Sequence, residues 1–391
     1  MLSVHDGYDL IVAGGGPAGV SAALAAARRG KRVLVIESQG SLGGIWTSGL
    51  LGCMLDFDQC ATTRELTERL DALGARHERS PSYYTYEPEY MKIVLDRLCA
   101  EAGVEVRLHT HLVAAYRGGD GHRIETVVTE SKSGREAWRG KDFLDATGDG
   151  DLGYLSGCAF DIGDGKGNDQ PASMCAVVAV RDAKALEPFT VYRRSWAEAT
   201  SAFAAELRRA GVEASYGRPT LYVLHPHLML MMANHEYRVK IDDAASVTAA
   251  SMHAREENFR LVDALSRLGG AWSDIRLVAT AEQLGHRTAR RIHGRATVTK
   301  EDLIAGARQP DGVCTVHFTV DIHAPNEKAP ATDDAKIRTK PYQIPLRALQ
   351  AKDAENLWMA GRCLSGDFIA HSSYRVTGVA VATGEAVGRV V

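Results

Sequence analysis

No apolar run in the 391 residues is long enough to span a bilayer, so no membrane span is expected. Neither sign of charge dominates: 46 Lys and Arg against 49 Asp and Glu leave a net charge of −3. Without a basic excess, nucleic acid is not the expected partner, because phosphate binding needs Lys and Arg gathered on one face. The seven Cys are odd in number and none stands in a CxxC pair, which argues against a disulfide framework and against a structural zinc site. The opening stretch MLSVHDGYDLIVAGGG has no basic leader and no cleavage site, so a cytoplasmic protein is the expectation. Repeats and low-complexity tracts are missing as well. The length suggests about two domains.

Glycine is plentiful, at 38 residues, and it is clustered. Tyr8 to Ala13 is a short apolar run of strand character, followed by Gly14-Gly15-Gly16-Pro17-Ala18-Gly19, which fits G-x-G-x-x-G. An Ala-rich helical stretch leads to Gly30, a natural helix stop, and Lys31 to Glu37 forms a second strand ending in an acid. Each part has a physical task. Gly14 permits the tight turn, Gly16 lets backbone approach a pyrophosphate, and Gly19 lets the helix pack on the sheet. The free N–H groups at the helix start favour a diphosphate. Glu37 stands where a carboxylate meets ribose hydroxyls and disfavours a 2′-phosphate. Strand, glycines, helix and acid in that order predict a dinucleotide site.

Gly43-Gly44, followed by Trp46, Thr47 and Ser48, adds a second glycine pair close behind the acid. Phe143 to Asp149 reads FLDATGD, Asn356 to Arg362 reads NLWMAGR, and His371 to Gly378 reads HSSYRVTG ahead of a small-residue helix. Gly285 to Gly294 reads GHRTARRIHG, with Asp321-Ile322-His323 and Tyr342 to Arg347 further on. From residue 8 to the end, these elements resemble the FAD-dependent oxidoreductases of the glutathione-reductase-like superfamily, and in particular the heterodisulfide-reductase-A-like flavoproteins. His286 departs from that pattern, which has an apolar residue there.

The resemblance implies an α/β fold: a Rossmann-like FAD-binding domain of the glutathione-reductase-like type, with an inserted α+β substrate domain. The FAD-binding domain would be discontinuous, residues 1–160 plus 341–391, with residues 161–340 as the substrate domain. FAD is the implied cofactor. Its implied contacts are Gly14, Gly16, Pro17, Ala18, Gly19, Glu37, Gly43, Gly44, Trp46, Thr47, Ser48, Val113, Ala146, Thr147, Gly148, Asp149, Gly361, Arg362, Asp367, Arg375, Val376 and Gly378. The implied activity passes a hydride from a small organic substrate to flavin N5, and then electrons to oxygen or a separate acceptor. Monooxygenation or double-bond reduction is the alternative, and a non-catalytic FAD-fold binding protein a second one. No second GxGxxG stands between Gly150 and Lys340, and no redox CxxxxC occurs, which argues against a pyridine-nucleotide disulfide reductase.

Three residues are the catalytic candidates. Arg375 falls where the resemblance puts the flavin pyrimidine edge, and a cation there would stabilise charge on the reduced ring; the alternative is a structural pairing with a carboxylate. His371 is a candidate base or a structural histidine. Arg287, Arg290 and Arg291 form a cationic cluster in which one, Arg287 first, can fork a substrate carboxylate while another serves as scaffold. Asp149 either hydrogen-bonds near the diphosphate or caps the next turn. Ser173 to Val180 and Leu221 to Met232 are strand candidates, and Ser246 to Leu268 has helical spacing. Tyr83, Tyr84 and Tyr86 suggest a packed loop, with lining of the flavin pocket as the alternative. Gly163 to Asp169 and His323 to Lys340 suggest loops. His225 and His227 flank Pro226 with no further ligand nearby, so no metal is expected.

Overall fold

The computed structural model describes residues 3–57, 60–79, 83–165, 169–191, 195–324, 326 and 337–391. Its largest sheet runs in the spatial order Glu105–Arg107, Val33–Ile36, Ser3–Ala13, Gly134–Asp145, Ile124–Ser131, His111–Arg117. The first four of these strands are parallel, and the last two turn back antiparallel. Leu10 to Ala13 and Val33 to Ile36 are buried on both faces, as parallel strands covered by helices must be. The long strand Gly134–Asp145 changes partner midway: its first half pairs with Ile124–Ser131, and its last three residues pair in parallel with Leu357–Met359. The chain thereby returns, more than 200 residues later in the sequence, to the edge of the glycine turn.

The helix Pro17–Ala27 follows that turn, with Pro at its start and Gly16 at its cap. It lies directly against the last helix, Thr377–Val390. Small residues make the approach possible: a Cβ on Gly384 would sit 2.0 Å from the Ala18 carbonyl oxygen, and one on Gly388 2.2 Å from that of Ala22. Ser21 Oγ donates to the Val381 carbonyl at 2.8 Å across the same contact.

A four-stranded antiparallel sheet lies beyond, in the order Thr220–His225, Leu228–Met232, Ala176–Ala179, Arg276–Thr280. Its apolar faces contribute to two further cores, around Phe203, Leu221 and Trp272 and around Met174, Leu224 and Leu284. The run Leu221 to Met232 is a hairpin rather than one strand, because Pro226 has no N–H for the ladder and the chain turns there. His225 and His227 therefore face each other across a turn, and His227 Nδ1 bonds the Arg181 carbonyl at 2.7 Å. Among the described residues no three His, Cys, Asp or Glu side chains gather to hold a metal. Within Ser173 to Val180 only Ala176–Ala179 joins the ladder, while Ser173 bridges to Gly285. The helical spacing of Ser246 to Leu268 is realised as Ala244–Arg267, where the Asp243 side chain accepts from Ala245 N at 2.9 Å. Tyr83–Tyr86 is a strand, not a loop: it pairs with Cys53–Leu55 and Arg76–Arg79, as alternating aromatics favour. The expected loops at Lys166 to Asn168 and through most of 325–336 lie outside the described residues. Among the described residues no helix is long and apolar enough to cross a membrane.

Candidate active site

A cavity of about 860 Å³ runs from the carboxyl ends of the parallel strands to the antiparallel sheet. At one end stand Ile36, Glu37, Ser38, Thr110, His111 and Leu112. Glu37 Oε2 accepts from Gly15 N at 2.7 Å, and its other oxygen accepts from Gln39 N at 2.8 Å. The carboxylate is thus locked to the glycine turn while still forming part of the wall. Gly14 has φ +97°, and a Cβ on it would lie 2.5 Å from the Ala146 carbonyl oxygen, so only glycine fits that crossing. Gly16 differs, since a Cβ there would meet nothing within 4 Å and would project into open space.

The middle of the cavity is walled by Gly14, Gly16, Pro17, Ala18, Gly44, Ala146, Thr147, Gly148, Asp149, Gly361 and Arg362. Two helices start on it. Pro17–Ala27 and Thr377–Val390 both begin with no side chain capping their first amides, so their N–H groups are left for an acceptor. Arg375, Val376, Thr377 and Ala380 bring the second helix start to the wall. Asp149 lines the cavity, and its Oδ1 accepts from Arg362 Nη2 at 2.6 Å. Arg362 also donates to the Gly148 carbonyl at 2.9 Å and to the His286 carbonyl.

Several sequence-predicted contacts stand behind the wall. Gly19, Gly43 and Gly378 are packing positions: a Cβ would lie 1.9 Å from the Gly14 oxygen, 2.7 Å from Thr47 Cγ2 and 2.1 Å from the Asp56 oxygen, respectively. Trp46 is buried, and its Nε1 has no partner among the described residues. Thr47 Oγ1 donates to the Leu42 carbonyl at 2.6 Å, and the Ser48 carbonyl accepts from Glu282 N and Gln283 N. Val113 sits on the strand His111–Arg117, one residue past Leu112, which does line the cavity. Asp367 caps the helix Phe368–Tyr374, accepting from Ala370 N at 2.7 Å and Lys300 N at 2.6 Å. Each is held by local backbone needs that a motif does not reveal.

The catalytic candidates separate in the same way. Arg287 reaches the cavity, with Nη1 donating to the Pro171 carbonyl at 2.7 Å and Ser173 Oγ at 2.8 Å. Arg375 also lines it, but its guanidinium is occupied by the Asp321 carbonyl at 2.7 Å, Gln170 Oε1 at 3.1 Å and the Arg287 carbonyl at 3.4 Å. Arg290 pairs with Asp151 at 2.9 Å, and Arg291 donates to the Gly163 and Gly366 carbonyls, so both are scaffold. His371 is only 1% exposed and stacks edge-on against Tyr374, off the cavity wall. Burial first, then the charges of Arg375, Arg291 and Arg362, hold its imidazole well below the ordinary histidine range. It is a neutral core residue, not a base facing a substrate.

Asp321 and His323 stand on the cavity wall, with His235 bonded to His323 beside them. His323 Nε2 lies 3.1 Å from Asp321 Oδ2, His323 Nδ1 lies 3.1 Å from His235 Nε2, and His235 Nδ1 lies 3.3 Å from the Tyr237 hydroxyl. Burial raises the Asp321 carboxyl, but His323, Arg375 and Arg287 outweigh it and hold it well below the usual carboxylate range. Burial, then Arg287, pull His323 down to about 4, and the same two causes lower His235. These states fix the protons. An ionised carboxylate only accepts, so His323 carries its hydrogen on Nε2 and its bare Nδ1 accepts from His235 Nε2–H. His235 Nδ1 then faces the Tyr237 hydroxyl, which also lies 3.4 Å from the Ser215 carbonyl oxygen. Asp321 and His323 were visible as a D-x-H element, but His235 is 88 residues away from His323 and carries no signal of its own.

Replacing His371 by Leu separates the structural role from a catalytic one. The folded pKa is depressed, so below about pH 6.5 the unfolded chain binds the proton first and the parent loses stability as pH falls. The variant lacks that loss. Its stability relative to the parent should rise by up to ~1.4 kcal/mol per pH unit on going from pH ~7.5 to ~5.5, read from urea unfolding. An offset between the two proteins that does not change with pH would contradict this placement.

A family model described as FAD dependent oxidoreductase matches residues 9–391. Two curated relatives align over shorter stretches. A soluble pyridine nucleotide transhydrogenase of Hahella chejuensis is 31% identical over 150 residues, 36% of this chain and 30% of that protein. A thiamine thiazole synthase of Aeropyrum pernix is 36% identical over 108 residues, 27% of this chain and 38% of that protein. The matched stretches thus span about a third of the length of these relatives. Among solved structures, a geranylgeranyl bacteriochlorophyll reductase-like protein from Thermoplasma acidophilum shares the fold, with a TM-score of 0.51 at 13% identity over 99% of this chain and 77% of that one.

Proposed function

The chain belongs to the FAD dependent oxidoreductase family, and from that membership we propose that it withdraws two electrons from a small organic substrate seated in the inner part of the cavity. The residues fit the cofactor: Glu37 stands at the ribose end, Gly16 opens onto space that a side chain would fill, and two uncapped helix starts offer N–H groups to anionic or carbonyl oxygens. When bound, FAD supplies a ring that accepts a hydride at N5 and passes the electrons to oxygen or a separate acceptor. The remaining work falls to the chain. Residues 1–160 and 341–391 hold the cofactor, and residues 161–340 hold the substrate. Arg287 anchors an acidic group, Arg375 fixes the Asp321 loop, and Tyr216, Tyr222 and Met232 shape the chamber. On its GHRTARRIHG element we place the chain beside the heterodisulfide-reductase-A-like members.

The observation that carries this is the continuity of one cavity from Glu37 to Arg287 and His323. The Asp321–His323 pair on the cavity wall favours a second reading, in which the same site adds a hydride and a solvent proton across a double bond. Anaerobic mixing tests both. Loss of visible flavin absorbance on adding alcohols, amines or amino acids supports oxidation. Reoxidation of dithionite-reduced protein by activated alkenes supports reduction. Protein that stays colourless after incubation with FAD would refute either reading.

A further inference from the structure

We propose that the inner cavity selects a planar substrate with an acidic group at each end, an aromatic dicarboxylate in its simplest form, and that Arg287 and Arg218 are its two anchors. The inference rests on the reading of this chamber as the substrate site.

Among the described residues, four arginines line the cavity: Arg218, Arg287, Arg362 and Arg375. A guanidinium does not deprotonate, so one that leaves bulk water needs an anion or several acceptors. Arg362 has Asp149 and two carbonyls, and Arg375 has Asp321 and Gln170. The other two are incompletely satisfied. Arg287 uses a single nitrogen, Nη1, for Pro171 and Ser173, and no described residue accepts from its Nε or Nη2. Arg218 is half-buried and lies 5.4 Å from the centroid of the Trp196 ring, with no hydrogen-bond acceptor among the described residues. Asp321 is close enough to favour the charge on Arg287, but it is already shared by His323 and Arg375. Among the described residues, this part of the wall therefore carries Arg218, Arg287 and Arg375 against the one carboxylate of Asp321.

Three aromatic rings share this cavity with the two arginines. Tyr83, Tyr216 and Tyr222 line it together with Met232, and Tyr216 packs at a tilt on His235, with centroids 4.1 Å apart. Aromatic rings and a thioether suit a planar apolar body. Two guanidinium forks on the same wall match carboxylates, each able to take two parallel hydrogen bonds.

The test uses the purified holoenzyme and three ligands of one shape: terephthalate, benzoate and the uncharged terephthalamide. Binding is read from the perturbation of the flavin's visible spectrum, after the flavin content of each preparation is measured. Terephthalate should bind about 100-fold more tightly than terephthalamide, with benzoate between them. Arg218→Gln should bring terephthalate to the level of benzoate and leave benzoate unchanged, whereas Arg287→Gln should weaken both acids by about 10-fold or more. Equal binding of terephthalate and terephthalamide to the parent, or an Arg218→Gln variant that still prefers the dianion, would overturn the proposal. Loss of flavin on Arg287→Gln would assign that residue to the cofactor and remove it as an anchor. A parent protein that takes up no FAD would instead overturn the functional reading, so the two failures are distinct.

Discussion

Replacing Gly16 by Val yields a folded protein that no longer retains flavin. Gly16 has φ −73°, which any residue adopts, and a Cβ there touches no protein atom within 4 Å. The fold therefore tolerates the change. The added methyl groups enter the space in front of the amides of Pro17–Ala27, where an acidic ligand must come close to be held by helix N–H groups. Overpacking of that kind costs on the order of 3 kcal/mol, about 100-fold in affinity. Dialysed variant should be colourless, while its melting temperature matches that of parent stripped of flavin. The apo forms are the right comparison, since bound ligand itself raises stability. A variant as yellow as the parent would show that the glycine turn does not face the diphosphate.

Replacing Gly384 by Val has the opposite outcome, because it attacks the fold first. A Cβ would sit 2.0 Å from the Ala18 carbonyl oxygen, and the neighbour is backbone of a buried helix that cannot swing aside. The helices Pro17–Ala27 and Thr377–Val390 must separate, losing the Ser21 to Val381 hydrogen bond as well. The expected destabilisation is about 3 kcal/mol or more, seen as an earlier urea midpoint and a lower melting temperature of the apo protein. Flavin retention falls too, since both helix starts on the cavity wall depend on this contact. An unchanged urea midpoint would mean that the two helices pack more loosely than their glycines indicate. The pair of variants thus distinguishes a glycine needed for the ligand from one needed for the fold.

The same distinction explains which site residues were legible beforehand. Gly14, Gly16 and Glu37 lie within one strand–turn–helix–strand unit, and the chemistry of each follows from its immediate neighbours. Arg375 and Arg287 were expected at the flavin edge and at a substrate carboxylate; both line the cavity, but which protein groups occupy their guanidinium nitrogens depends on Asp321, Gln170, Pro171 and Ser173, all distant in the chain. His371 was expected ahead of a helix but lies inside one, Phe368–Tyr374, and no local pattern tells whether such a His faces solvent, substrate or core. Asp367 was misread for a related reason: a cap and a ligand contact both call for a short acid before a helix. Nothing in the order of residues marks Arg218 or His235.

By itself, the order of residues determined the nucleotide-binding unit, the return of the chain to the same sheet, and the membership of an FAD-using family. Those features are encoded in contiguous glycine turns, apolar strands and helix starts, whose geometry is set by backbone sterics within about thirty residues. Tertiary structure alone decided which charged and titratable groups meet across the cavity. The hairpin Thr220–His225 and Leu228–Met232 delivers Arg218 to a wall whose other members include Ser173, Arg287, Asp321 and His323, and sets His235 against His323. Such meetings are governed by how separate apolar faces stack, and a linear pattern carries no record of them.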